Sequence, residues 1–149
     1  MFGLSSFCYL ALVRHGGAVP AVNQRRINPF DQQKEDQKRA AEHGTVLQAW
    51  SPLAQCNQDL LSDAALKAIA DKYHKTVPQV ILRWNIDKGM TAVVKSTHAN
   101  RLRENISVFA FELTTDKLNV IDALDRNELN NGGPNHRNPG MLDLLYGFE

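Results

Sequence analysis

The sequence is poor in cysteine: Cys8 and Cys56 are the only two in 149 residues. Two cysteines build no disulfide framework, which fits a reducing compartment, and a cytoplasmic location is expected. No C-x-x-C or H-E-x-x-H pattern is present, so no metal site is expected. An excess of one charge is missing too. The formal net charge of +1 supplies no bulk attraction to nucleic acid or to a membrane surface. Long apolar runs are also absent. The uncharged start, Met1 to Val13, falls far short of the roughly 20 residues that span a bilayer. No Lys or Arg precedes it, as the n-region of a secretory signal requires. It is read as the buried end of a strand followed by a short helix. Finally, there is no Gly-x-Gly-x-x-Gly turn, which removes the Rossmann dinucleotide fingerprint.

What is present is ordinary for a globular chain: 43% apolar and 22% charged residues. One domain over 1–149 is expected, with a loop-like tail from 127 to 149, where Asn, Gly and Pro accumulate. Pro20 to Gln24 reads as a short strand. Gln33 to His43 is rich in helix formers, and Gly44 is placed to cap its end. That helix has little apolar face beyond Ala40 and Ala41, so weak packing is expected of it. Thr45 to Trp50 reads as a strand. Asp63 is a capping residue for a helix with Leu66, Ile69, Ala70 and Tyr73 at helical spacing. Thr76-Val77-Pro78-Gln79 has the form of a capping box with Pro in the first turn. Its helix runs through Trp84 to a stop at Gly89. Met90 to Val94 reads as a buried strand. Helices are expected from about Ala99 to Val108 and from Asp116 to Leu124.

Strands that alternate with helices imply parallel β-α units, and continuous apolar strands imply a sheet covered on both faces. A closed barrel and an open doubly wound sheet both satisfy this.

The segment richest in chemistry is Val94 to Asn105, where a strand ends and a helix begins. In α/β folds that edge binds ligands. Free N–H groups at a helix start favour an anion. Lys95 and Arg101 add positive charge, and Ser96 and Thr97 add hydroxyls. The set suits a phosphate dianion. Glu104 and Asn105 follow one turn on, within reach of a base edge. A capped helix with solvated charges would use the same residues.

Lys95-Ser96, then Arg101, then Glu104-Asn105 resembles the cofactor signature of the aldo-keto reductases, in the manner of the diketogluconate reductases and prostaglandin F synthases. The resemblance implies an α/β fold: a partial (β/α)8 TIM barrel, its C-terminal half, from the end of strand 5 through strand 8 and the following helices. It implies NADP as cofactor. Lys95, Ser96, Thr97 and Arg101 would lie around the 2′-phosphate, and Glu104 and Asn105 would contact the adenine. Val108 to Thr114 and Ile121 to Asn127 are similar to the family's next landmarks. Upstream, Ala49 to Leu53 resembles the end of strand 7. Trp50 would stack on the nicotinamide, and Ser51 and Leu53 would line the pyrophosphate path. Val22-Asn23-Gln24 resembles strand 6, with Gln24 on the carboxamide. Gly3 to Phe7 is similar to Gly-x-Ser-Asn-Phe of strand 5, with Ser5 on the carboxamide and Ser6 where the family has Asn.

The same resemblance puts the family's acid Tyr and its supporting Lys, Asp and His on strands that would precede Gly3, so no residue here is given a catalytic role. Arg25 and Arg26 depart from the family, which continues with an apolar and then an acidic residue. An Arg turned into the barrel interior is costly unless paired. Three full strands and the end of a fourth leave two open edges and one uncovered inner face, and self-association through the edges, or instability of the chain alone, is expected. No nucleic-acid or membrane partner is expected. Three readings stand. One is an NADP-dependent carbonyl reductase, acting on a small-molecule aldehyde or ketone once its barrel is completed. The second is a cofactor-binding module without chemistry. The third is an inert or assembly-only fragment.

Overall fold

A computed structural model of the chain describes residues 6–127. Ser5, most of the strand-5 resemblance and the tail beyond Asn127 lie outside the described residues. The elements run α1 (Ser6–His15), β1 (Val22–Arg26), α2 (Lys34–His43), β2 (Val46–Trp50), α3 (Gln58–Ser62), α4 (Ala64–Tyr73), α5 (Val77–Asp87), β3 (Thr91–Val93), α6 (Ala99–Ile106) and α7 (Thr115–Asp122). A 3-10 turn, Ser107–Ala110, follows α6, so that helix ends two residues earlier than its spacing predicts. None of the described helices is long and apolar enough to cross a membrane.

Local signals set most boundaries. Gly44 and Gly89 adopt φ of 70° and 73°, which stops α2 and ends the turn after α5 without a Cβ penalty. Asp63 accepts from the backbone N–H groups of Ala65 and Leu66 at 2.9 and 3.1 Å and starts α4. Thr76 and Gln79 form the capping box that starts α5.

The three strands form one parallel sheet in the order β1-β2-β3. Its register aligns Gln24 with Gln48 and Thr91, and Arg26 with Trp50 and Val93. Because side chains alternate along a strand, each strand divides its residues between two faces. Leu47 and Ala49 of β2 face the helices and join Leu60, Leu66, Ile69, Val80, Ile81, Trp84 and Ile121 in the core. Gln24, Gln48, Trp50 and Val93 occupy the opposite face, which corresponds to a barrel interior. Among the described residues nothing packs over that face, and Val22, Val46 and Val93 on it are exposed. This is an α/β half of a TIM barrel.

The alternation also settles the two arginines. Arg25 points outward, away from the interior, and meets Asp36 of α2 at 2.7 Å. Arg26 is the one on the inner face. The helix expected to pack weakly therefore holds to the sheet with a buried ion pair as well as Ala40.

Helix α7 is tied to the rest by polar contacts. Trp84 Nε1 donates to Asp122 Oδ1 at 2.9 Å, and Lys88 Nζ donates to Asp122 Oδ2 at 2.7 Å. The buried loop after β1 reaches the same helix. Gln32 Nε2 donates to the Ile121 carbonyl at 2.9 Å, and Arg126 lies 3.5 Å over the Phe30 ring.

Removing one partner of a buried ion pair typically costs about 3–5 kcal/mol, whereas replacing both by apolar groups is often nearly neutral. Asp36→Ala is therefore expected to lower the urea midpoint sharply. The double substitution Arg25→Leu, Asp36→Leu should recover most of the loss. An Asp36→Ala chain as stable as wild type would show that the pair holds nothing.

Candidate functional site

The strands end, at their C-terminal edge, in the loops that build a cleft of about 630 Å³. Lys95, Ser96, Thr97, Arg101, Glu104 and Asn105 all line it, together with Leu53. The structure thus gathers on one cleft every residue of the phosphate signature read from the sequence.

The first wall follows β3. The chain leaves the sheet at Val93 and turns into α6. Ser96 Oγ accepts from the His98 backbone N–H at 3.1 Å and shapes this turn. His98 caps α6 with no side-chain hydrogen bond. The first N–H groups of α6 consequently remain available, and helix starts of this kind attract anions. Lys95 and Arg101 are exposed and form no ion pair within the described residues. Two cations stand beside a helix start at this end of the cleft, with Glu104 on the same helix as Arg101.

The second wall was not legible from the sequence as a site. Cys56, Gln58, Leu61, Thr76 and Pro78 line it. Helix α3 carries Gln58 and Leu61, and Cys56 lies in the turn before it. Its start is marked by Asn57, whose Oδ1 accepts from the Leu60 N–H at 3.1 Å. Asn before an acidic first turn is a helix-start signal, and it was there to be read. Leu60 is fully buried and anchors this short helix to the core.

The remaining candidates sit elsewhere. Trp50 is half-buried on the inner sheet face, between Arg26 and Val93 in register. Gln24 lies on the same face, where its Nε2 donates to Gln48 Oε1 at 2.7 Å. That bond leaves Gln24 Oε1 as an acceptor. Ser51 stands at the turn between Trp50 and the cleft residue Leu53, with φ of 54°. Its Oγ is buried and has no hydrogen-bond partner among the described residues. A buried hydroxyl without a partner is uncommon and calls for a ligand or water. Of these upstream candidates Leu53 lines the cleft, Ser51 lies two residues before it in the chain, and Trp50 and Gln24 lie on the inner sheet face. Ser5 falls outside the described residues.

The described residues hold two tyrosines, and both are engaged in hydrogen bonds. Tyr9 shares a 2.7 Å hydrogen bond with Thr45. Tyr73 shares a 3.4 Å hydrogen bond with the Thr114 hydroxyl and accepts from the Thr114 N–H at 3.2 Å, and these contacts, the hydroxyl first, lower its phenol pKa below the usual value. No cluster of three His, Cys, Asp or Glu side chains that could hold a metal occurs among the described residues.

The aldo/keto reductase family pattern matches residues 2–126. The chain belongs to the aldo/keto reductase family. Among individual relatives it is similar to 2,5-diketo-D-gluconic acid reductase B of Corynebacterium sp., 39% identical over 123 residues, covering 83% of this chain and 44% of that enzyme. It is also similar to methylglyoxal reductase DkgA of Escherichia coli, 35% identical over 115 residues, covering 77% and 42% of the two chains. Among solved structures, Gox0644 in its apoform superposes with a TM-score of 0.82 at 32% identity, covering 87% of this chain and 47% of that one. A mutant of the same protein, solved in complex with NADPH, gives 0.81 at 31% identity, covering 88% and 48%. The chain therefore spans less than half the length of these curated relatives.

If Ser51 Oγ waits for a ligand, Ser51→Ala should leave thermal stability unchanged within about 1 kcal/mol, because no bond in the protein is lost. A large drop in melting temperature would instead show that the hydroxyl is used within the fold.

Proposed function

We propose that this chain provides the NADP-holding half of an aldo-keto reductase barrel that reduces small aldehydes or ketones to alcohols. The observation that carries the reading is the cleft itself: two cations that form no ion pair among the described residues, two hydroxyls and a helix start line it. Lys95, Ser96, Thr97 and Arg101 would hold the 2′-phosphate. Glu104 and Asn105 would contact the adenine, Leu53 and Ser51 would line the pyrophosphate path, and Trp50 and Gln24 would receive the nicotinamide. When bound, NADPH supplies a hydride. This chain's own residues bind and orient: the Trp50 face stacks against a planar ring, and Gln24 Oε1 accepts from an amide. A general acid for the carbonyl oxygen is not assigned to any described residue. It would come from the barrel strands that the longer relatives possess, in the same polypeptide or in another. The substrate would bind over the uncovered inner face once that face is enclosed.

NADP is favoured over NAD by Lys95 and Arg101. Charge-assisted hydrogen bonds contribute about 1.5–3 kcal/mol each when well formed. Arg101→Ala should weaken NADPH binding about 10- to 100-fold and leave NADH nearly unchanged. Titration with quenching of tryptophan fluorescence reads both affinities. Trp50→Phe should remove most of the quenching, since Trp84 is buried against Asp122. Equal losses for the two cofactors in Arg101→Ala would sink the 2′-phosphate assignment.

Self-association follows from the same architecture. Among the described residues, β1 and β3 are the outer strands of the sheet, and unpaired strand edges pair with other chains. Sedimentation velocity is expected to show mass rising with concentration. A sharp monomer that melts cooperatively would rule this out.

A further inference from the structure

Helix α6 carries Arg101, Glu104 and Asn105, yet it buries none of its residues. Ile106 is 71% exposed and Leu102 48%. A surface helix usually takes its orientation from a buried apolar face. Among the described residues α6 has no such face, so other contacts must set its angle to the cleft.

Those contacts come from two buried polar side chains of α5, one turn apart. Gln79 Nε2 donates to the Glu104 carbonyl at 3.1 Å. Arg83 Nη1 donates to the Val108 carbonyl at 3.2 Å, just beyond the end of α6. Arg83 is itself held by Asp87, with contacts of 2.6 and 2.7 Å. Gln79 has a second bond: its Oε1 accepts from the Thr76 backbone N–H at 3.0 Å and closes the capping box of α5. One carboxamide therefore joins the start of α5, whose Thr76 and Pro78 line one wall of the cleft, to the helix that bears the opposite wall.

We propose that Gln79 is a positioning residue for the cofactor. Its carboxamide sets where Arg101, Glu104 and Asn105 stand across the cleft. The chemistry separates its two functions. A capping box is served equally well by Glu or Gln, since only an acceptor is needed. The tie to α6 needs the N–H donor that Glu lacks. A carboxylate at Gln79 would also face the Glu104 carbonyl oxygen and repel it, while remaining favourable at the start of α5. The inference rests on the cofactor reading above.

Gln79→Glu in the full chain separates the two functions. The cooperative melt should be retained. Amide hydrogen exchange over 99–106 should accelerate, with exchange in α5 unchanged. NADPH affinity should fall about three- to tenfold, the range for losing one hydrogen bond. In the double variant with Arg101→Ala, the losses should be smaller than their sum, because Gln79 acts through the helix that carries Arg101. Unchanged exchange over 99–106, or NADPH affinity equal to wild type, would overturn the assignment. Loss of the cooperative melt would make Gln79 a folding residue and overturn it too. A folded wild-type chain that binds no NADPH would overturn the cofactor reading beneath it, a result separable from any that concerns the variant alone.

Discussion

A parallel sheet needs cover on both faces, because its connections place helices along it and its strands carry apolar side chains on each side. Among the described residues one face is covered by helices, and the other carries exposed valines. The helix side holds Leu47, Ala49 and the α4–α5 core. The inner side presents Gln24, Arg26, Gln48 and Trp50 in two aligned rows, flanked by exposed valines. Polar rows suit a ligand-lined interior better than a dry core, since buried polar groups demand partners. The Gln24–Gln48 bond satisfies one amide across the strands and keeps an oxygen free.

The one-sided core also explains how the cleft is held. Helix α5 contributes Val80, Ile81 and Trp84 to the core and is the most deeply embedded element near the site. Everything at the cleft refers back to it. Gln79 reaches α6, Arg83 and Asp87 reach the segment from Val108 to Leu113, and Trp84 with Lys88 reaches Asp122 of α7. Polar side chains projecting from a rigid helix thus orient elements that have little apolar surface of their own to bury. Such ties are directional in a way that apolar contact is not, which suits a site where a helix must present several groups at once.

Much of this was legible in the sequence where the determinant is local. Gly44, Asp63, Gly89 and the Thr76–Gln79 box each act within a few residues, and each lies where its pattern predicted. The cofactor signature was legible because Lys95 to Asn105 is continuous in the chain, so its spacing survives without any knowledge of the fold. Helix α3 was missed although Asn57 marks its start; it is only five residues long, too short for a periodic apolar pattern to register. The pairing of Arg25 with Asp36 was invisible for a different reason. Two adjacent arginines cannot be told apart until the strand's alternation is anchored, and a one-residue shift exchanges their faces. The second bond of Gln79 was hidden as well, because the capping box accounts for the residue completely when only neighbours in sequence are considered.

The division of the candidate site follows from the same distinction between local and long-range determinants. On the proposed reading the phosphate and adenine end would be lined by one strand-to-helix turn, the short helix after β2 and the N-terminus of α5, all within 53–105. On the same reading the nicotinamide end would lie on the inner sheet face, at Trp50 and Gln24. Binding of the cofactor's adenosine end and reaction at its nicotinamide end are therefore separable in physical terms. The first would depend on the charges and hydrogen-bonding groups of Lys95 to Asn105. The second depends on excluding water from a face that the described residues leave open, and electrostatic interactions at that face stay weak until it is enclosed. Closure of the interior, whichever polypeptide provides it, would convert a site that can hold a cofactor into one where its reactive ring is buried.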